Sequence, residues 1–237
     1  MKCLKENGRP NLDFMNVEIS DNGIYKTVCN KGHETVTLAF EQKYEILFEL
    51  GAMALLDGYP REAVSNFASA LERFHEYCIE LLLFNNKIEY ETYRDTWKLI
   101  SNQSERQLGA FYFLYLFEFK QPPRKIEQKW IEFRNNITHK GYISTSIEAY
   151  EYGNYVLKYI FKISQEFKSK YTDTLGFLIR KMFDEFKKKY PNIESSNSLS
   201  INTIVSRALS KNEYKENLFE DLLKELKSEI DMRFYSR

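Results

Sequence analysis

Apolar residues recur at intervals of three and four from about residue 40 onwards, and this period constrains the fold more than any other feature of the sequence. The spacing places apolar side chains on one face of an α-helix, where they can pack against a core. Turn sequences interrupt the pattern, as at Gly58 and Pro60 and again at Pro122 and Pro123. The sequence therefore predicts a mainly α protein, with helices over about residues 40–56, 60–84, 88–100, 104–119, 124–139, 145–168, 172–189, 201–209 and 213–234.

The first 40 residues have a different period. Apolar and polar side chains alternate over residues 17–20 and 24–28, on either side of a turn sequence at 21–23. Two β-prone runs around a glycine turn are typical of a β-hairpin, so we expect a hairpin there. Residues 35–38 are a candidate third strand.

These periods divide the chain into three parts. We expect an N-terminal β-hairpin segment over residues 1–40, a helical domain over 41–168 and a C-terminal helical extension over 169–237. Thr145 and Glu148 have the spacing of a capping box, which predicts the start of a helix. The polar segment 191–200, rich in Ser and Asn, is interpreted as a loop and a candidate linker.

Charge and hydropathy narrow the classes of function. The chain carries 34 basic and 34 acidic residues, whereas proteins that coat nucleic acid are usually strongly basic. Any nucleic-acid role must therefore rest on a local patch. The apolar runs are too short to span a bilayer, the N-terminus lacks the apolar core of a signal peptide, and three cysteines fit a reducing compartment. We expect a cytoplasmic protein that does not act at a membrane.

Cys29 and His33 follow the predicted hairpin and resemble half of a zinc site. Structural zinc takes four ligands, usually paired Cys or His. Cys3 is the one further candidate ligand, and a fourth is not evident. We therefore expect a degenerate ribbon without metal, and no cofactor.

The segment 130–141, with the sequence WIEFRNNITHKG, carries the most chemical information. Arg134 and His139 are five residues apart before the predicted helix end at Gly141, so they lie roughly 140° apart around the helix axis. Two arrangements would bring them to one ligand: a loosened helix end, which Gly141 permits, or a second subunit that completes the site. The segment and its flanks would attract a phosphate backbone through Lys120, Arg124, Lys125, Lys129, Arg134 and Lys140.

An Arg, a polar residue, three further residues and a His form the motif of the HEPN domains, and this chain resembles that family at Arg134, Asn135 and His139. In the family the motif lies in a late helix of a helical bundle. The flanking residues are also similar, from Phe133 before the motif to residues 140–145 after it, as is the long helix that begins near Pro60. The resemblance covers about residues 41–168.

The resemblance implies a homodimer in which two motif helices meet and form a composite cleft that cleaves RNA without a metal. His139 would deprotonate the ribose 2′-hydroxyl or protonate the leaving 5′-oxygen, since imidazole exchanges protons near neutral pH. Arg134 would bind the phosphate and the added charge of the transition state, and Asn135 would orient either group. Glu72 is a candidate third polar residue facing the cleft. The expected substrate-binding residues are Lys140, Lys129 and Arg124.

Several members of the family are toxins or abortive-infection proteins, which implies a role in phage defence or in a toxin system, with an antitoxin or regulatory protein as a candidate partner. Two alternatives remain open. One is a non-catalytic HEPN module that binds RNA, a nucleotide or a partner protein, and the other is a structural helical adaptor.

The individual residues also have plainer interpretations. Arg134 and His139 fit an exposed arginine and a cation at a helix C-terminus, where positive charge is favourable. Glu72 fits an ion pair with Arg73 or a nearby lysine. His75, inside an amphipathic helix, is interpreted as a partly buried packing residue.

Overall fold

The computed structural model describes residues 6, 8, 17–168, 170–191 and 196–235. Over these residues the protein is mainly helical with a small N-terminal β-hairpin, as the sequence predicts. The elements in chain order are β1 (Ile24–Val28), β2 (Glu34–Ala39), α1 (Lys43–Leu56), α2 (Pro60–Asn85), α3 (Tyr90–Trp97), α4 (Ser104–Phe119), α5 (Gln128–Lys140), α6 (Ser146–Lys168), α7 (Thr172–Lys189), β3 (Ser196–Leu199), α8 (Ile204–Leu209) and α9 (Leu218–Tyr235).

The chain forms two compact units, each of which joins segments that are distant in sequence. Among the described residues, the first contains those up to 41 and those of 175–201, and the second contains those of 42–174 and those from 202 onwards. The periods of the sequence instead predict three consecutive parts. The units differ from those parts because long-range contacts, which have no period along the chain, decide which segments pack together.

The N-terminal hairpin has a different turn from the one predicted. Strands β1 and β2 pair antiparallel, with Ile24 opposite Leu38. The turn between them lies at residues 29–33, where the Cys29 N–H donates to the His33 carbonyl at 3.0 Å. The segment expected as a third strand is therefore the partner of β1.

Residues 17–20 form no strand, so that prediction was wrong. The physical reason is burial. Val36 and Leu38 of β2 lie in the core of the first unit, whereas Val17 and Ile19 are 47% and 57% exposed. An alternating pattern marks a strand only where one face finds a core to pack against.

A third strand, β3, pairs parallel with β2 and gives the sheet order β1–β2–β3. Val36 lies opposite Ser196 in this pairing, and the Phe40 N–H donates to the Leu199 carbonyl at 3.1 Å. The interpretation of residues 191–200 as a loop was therefore wrong over β3. The two strands of this parallel pair are far apart in the sequence. A polar segment such as β3 therefore has no local pattern that predicts the pairing.

The core of the first unit is formed by the sheet and α7. Val36, Leu38 and Phe186 are buried in it, and Phe183 packs against them. The amphipathic helix α7 thus packs against the N-terminal hairpin.

Helix α2 is the centre of the second unit and packs against α1, α4, α5 and α6. The ring of Phe67 is fully buried, with the ring centroids of Phe48 and Phe219 at 4.7 and 6.1 Å. Gly51 and Gly153 let α1 and α6 approach this ring, since a Cβ at either position would lie 2.7 Å from it. The two glycines and the three rings therefore form one tightly packed layer.

Hydrogen bonds hold the segment after residue 202 within the second unit. The Glu49 carboxylate of α1 accepts the Ile204 N–H at 2.8 Å, at the start of α8. Thr203 caps the same helix by accepting the Ser206 N–H at 3.1 Å. Arg207, which is buried, pairs with Glu229 of α9 at 2.9 Å. The C-terminal helices therefore belong to the same packed unit as the central ones.

The loops on either side of α5 fix its ends. The helix begins at Gln128 rather than at 124, because the preceding backbone is extended and the Glu127 N–H donates to the Tyr155 hydroxyl at 2.9 Å. After α5, the predicted capping box is confirmed. The Thr145 N–H donates to Glu148 Oε2 at 2.8 Å, and the Glu148 N–H donates to Thr145 Oγ1 at 3.2 Å.

Candidate functional site

Helix α5 carries the Arg–Asn–x–x–x–His motif and remains a regular helix through Lys140. Gly141 ends it in the left-handed conformation, with φ of 71°, and the Tyr142 N–H donates back to the Asn136 carbonyl at 3.1 Å. Ile137 anchors the middle of the last turns because its side chain is completely buried. The helix end is therefore not loosened, and Arg134 and His139 of one chain do not converge.

Arg134 points towards α2. Its guanidinium forms an ion pair with the Glu72 carboxylate through Nη2, and Nη1 donates to Asn135 Oδ1 at 3.0 Å. Both charged side chains are partly buried, with 23% and 30% of Arg134 and Glu72 exposed. The structure thus brings together three of the residues that the sequence analysis singles out.

Arg73 is not the partner of Glu72. Its guanidinium instead contacts the Glu76 carboxylate and donates to Gln107 Oε1 at 3.1 Å. The carboxylate of Glu72 is therefore left to Arg134, which arrives from another helix and fixes α5 on α2.

A half-open cleft of about 170 Å³ lies beside this ion pair, between α2, α4 and α5. Its charged residues are Glu72, Glu105 and Arg134, and its neutral polar lining includes Asn135, Ser104 and Gln107. The apolar walls are formed by Ala68, Leu71, Leu108, Ile126, Trp130 and Ile131.

His75 and Tyr152 also line the cleft. Burial lowers the pKa of His75 to about 3, so its imidazole is neutral near neutral pH. Its Nε2 lies 3.1 Å from the Tyr159 hydroxyl, and its ring packs 4.9 Å from that of Phe111. Burial likewise raises the pKa of Tyr152. His75 is more deeply buried than the sequence suggests, and it contributes no charge to the cleft.

His139 and Lys140 are exposed at the C-terminal end of α5. Neither lines the cleft that Arg134 borders. In the part of the chain that the structure describes, the His139 imidazole has no hydrogen bond or ion pair, so it is available to a ligand or to another chain.

The remaining expected substrate-binding residues lie at the opposite end of α5. Lys129 pairs with Glu127 at 3.2 Å and lies 4.9 Å from the centre of the Trp130 ring. Arg124 is exposed in the preceding segment. Since a helix rises about 1.5 Å per residue, Lys129 and Lys140 are separated by about 16 Å along α5. One chain therefore does not gather these cations into a single patch.

The metal candidates are not brought into a binding group by the residues that the structure describes. Cys29 and His33 lie at the two ends of the hairpin turn, and His33 Nε2 pairs with Glu6 at 3.1 Å. Cys3 lies outside the described residues. Among those described, no group of three His, Cys, Asp or Glu side chains is placed to hold a metal ion.

The apolar walls of the cleft have no role in the predictions from sequence. A signal for part of them was present, since Trp130 and Arg134 are four residues apart on α5, as are Ala68 and Glu72 on α2, and such pairs share a helix face. The pairing of Glu72 with Arg134 had no comparable signal, because α2 and α5 meet only in the folded chain.

Fold and site together define a mainly helical protein with an ion-paired arginine on the wall of a half-open cleft. Comparison of the chain with models of known protein families, with curated proteins and with solved structures gave no match. None of the helices in the described ranges is both long and apolar enough to cross a membrane.

Proposed function

We propose that the protein is a homodimeric, metal-independent endoribonuclease of the HEPN type, with Arg134, Asn135 and His139 as catalytic residues. The observation that carries this proposal is the fixed position of Arg134, held on the cleft wall by Glu72 and Asn135. A guanidinium with a defined orientation suits a phosphate and the charge of its transition state. His139, exposed on the same helix, supplies the proton transfer.

A second subunit completes the site, because Arg134 and His139 of one chain face different directions on a regular helix. Exposed apolar side chains beside the end of α5 support this: Tyr142, Ile143 and Ile147 are 44%, 76% and 72% exposed. Their burial against a second copy would bring two α5 helices together. In a two-fold dimer, His139 of each subunit then meets Arg134 of the other.

The reaction uses the 2′-hydroxyl of the RNA as its nucleophile. His139 accepts the proton of that hydroxyl while water protonates the leaving 5′-oxygen, or it protonates that oxygen while water takes the proton of the hydroxyl. The 2′-oxygen bonds to phosphorus as the bond from phosphorus to the 5′-oxygen breaks, and Arg134 stabilises the charge on the phosphate oxygens. The products are a 2′,3′-cyclic phosphate and a 5′-hydroxyl. DNA lacks the nucleophile and is not cut.

Purified protein incubated with total cellular RNA in EDTA tests the activity. We expect discrete fragments with 2′,3′-cyclic phosphate ends, read by end-specific sequencing, and no cleavage of single-stranded DNA of the same sequences. EDTA removes the divalent ions on which contaminating metal nucleases depend. Intact RNA after prolonged incubation, or fragments with 3′-hydroxyl ends, would contradict the proposed chemistry.

The proposed role is phage defence or a toxin system, with an antitoxin or other regulatory protein as a partner, in the cytoplasm. A second candidate function is a non-catalytic module that binds RNA, a nucleotide or a partner protein. The ion pair with Glu72 favours this alternative, since it neutralises part of the charge of Arg134. RNA that is bound but intact in the EDTA experiment would support the module.

A further inference from the structure

The cleft beside Arg134 has the size of a subsite for a single ring system. Its volume of about 170 Å³ is well below the roughly 300–1,000 Å³ of pockets that hold drug-sized ligands. The walls are mostly apolar, with Leu71, Leu108 and the indole of Trp130 among them. A flat aromatic ring fits such walls. Its apolar faces are removed from water on binding, while the polar atoms at its edge still form hydrogen bonds.

The charges of the cleft favour a neutral group over a phosphate in its interior, so the scissile phosphate of the proposed reaction meets Arg134 at the edge of the cleft. Three charged residues line it, Glu72, Glu105 and Arg134, so two carboxylates face one guanidinium. His75 adds no positive charge, because burial keeps its imidazole neutral. An anion would meet net negative charge, whereas a neutral ring with N–H groups would find acceptors.

Glu72 is the hydrogen-bond acceptor best placed to recognise the N–H groups of such a ring. Its carboxylate lines the cleft, its side chain is 30% exposed, and its contact with Arg134 is made through Oε1. A carboxylate has about four acceptor positions on two oxygens, so one contact leaves Oε2 and part of Oε1 for a ligand. Arg134 meanwhile holds the carboxylate in one orientation.

We propose that this cleft binds one guanine base of the RNA, with Glu72 as the residue that determines specificity. Guanine presents two adjacent donors on its Watson–Crick edge, N1–H and the N2 amino group, and these match the two oxygens of a carboxylate. Adenine and cytosine each present one donor beside an acceptor, and uracil presents one donor between two acceptors. Each of these three bases would place an acceptor against a carboxylate oxygen, and such mismatches are strongly disfavoured.

The inference rests on the proposed function, because it takes RNA as the ligand, but its test is a binding measurement. The 5′-monophosphates of guanosine, inosine and adenosine are titrated separately into the full-length protein by calorimetry. Inosine lacks only the N2 amino group of guanosine. We expect guanosine monophosphate to bind about tenfold more tightly than inosine monophosphate, since loss of one arm of a bidentate contact costs on that order. Adenosine monophosphate is expected to bind more weakly still.

Glu72→Gln removes one acceptor and should abolish the preference for guanosine over inosine. Glu132→Gln, the same change at an exposed carboxylate of α5 outside the cleft, should leave the preference intact. Equal affinities for guanosine and inosine monophosphate in the wild type, or no binding of either, would overturn the inference without the need for any variant.

The outcomes separate the two proposals. A preference for guanosine without RNA cleavage would contradict the proposed ribonuclease activity and support the guanine subsite. RNA cleavage in EDTA that is equally frequent next to all four bases would support the ribonuclease activity and contradict the guanine subsite.

Discussion

Replacement of His139 by alanine is expected to lower the rate of RNA cleavage in EDTA by about 10²–10⁴-fold, the range over which a positioned proton donor or acceptor accelerates a reaction. The side chain is exposed at the end of α5, so its removal should leave the fold unchanged. Measurement of initial rates under single-turnover conditions isolates the chemical step from RNA binding.

Thr138→Ala is the matched control for this prediction. Thr138 is the adjacent residue, is also exposed, and lies in the same last turn of α5. We expect its rate to stay within about twofold of the wild type, because Thr138 has no role in the proposed proton transfer and exposed substitutions perturb stability little. Equal rates for the wild type and His139→Ala would show that His139 transfers no proton in the reaction.

Replacement of Phe67 by alanine is expected to lower the free energy of unfolding by about 3–5 kcal/mol. The ring is fully buried at the centre of the second unit, against Phe48, Phe219 and two glycines. Alanine would leave a cavity that α1 and α6 cannot close, since the helices already approach each other through that ring. Urea unfolding at a fixed protein concentration measures the change, because the proposed dimerisation would make stability concentration-dependent.

Phe113→Ala is the matched control for the core. It makes the same chemical change on α4, where the ring is 76% exposed. We expect the free energy of unfolding to change by no more than about 0.5 kcal/mol. A comparable loss for Phe67→Ala and Phe113→Ala would contradict the packing described for α2.

The sequence predicts the helices well because each depends on a local period. The apolar spacing of α2 and the Thr145–Glu148 capping box are both legible along the chain, and the structure has both. The same reasoning failed for β3, whose partner strand lies near the other end of the chain. It also placed a strand at 17–20, where alternation occurs without a core to cover it.

The candidate site likewise has a part that local sequence predicts and a part that depends on distant segments. Arg134, Asn135 and His139 are recognisable because the motif is local, and their angular separation follows from helix geometry. The ion pair of Arg134 with Glu72 is not recognisable in the same way, because the two residues come from helices that meet only in the folded chain. The proposed meeting of His139 with Arg134 of another chain depends on contacts between chains. The sequence of one chain has no local pattern that predicts such contacts.

Mixing two inactive variants tests the composite dimer site most directly. Arg134→Ala and His139→Ala homodimers each lack one half of every site, but a mixed dimer contains one site with Arg134 from one chain and His139 from the other. After subunit exchange, verified with differently tagged chains, we predict that cleavage in EDTA recovers to roughly a quarter of the wild-type rate, since random mixing makes half of the dimers mixed and each of these has one intact site. If exchange is complete and cleavage stays at the level of the separate variants, the two residues do not act across a dimer interface, and the account is wrong.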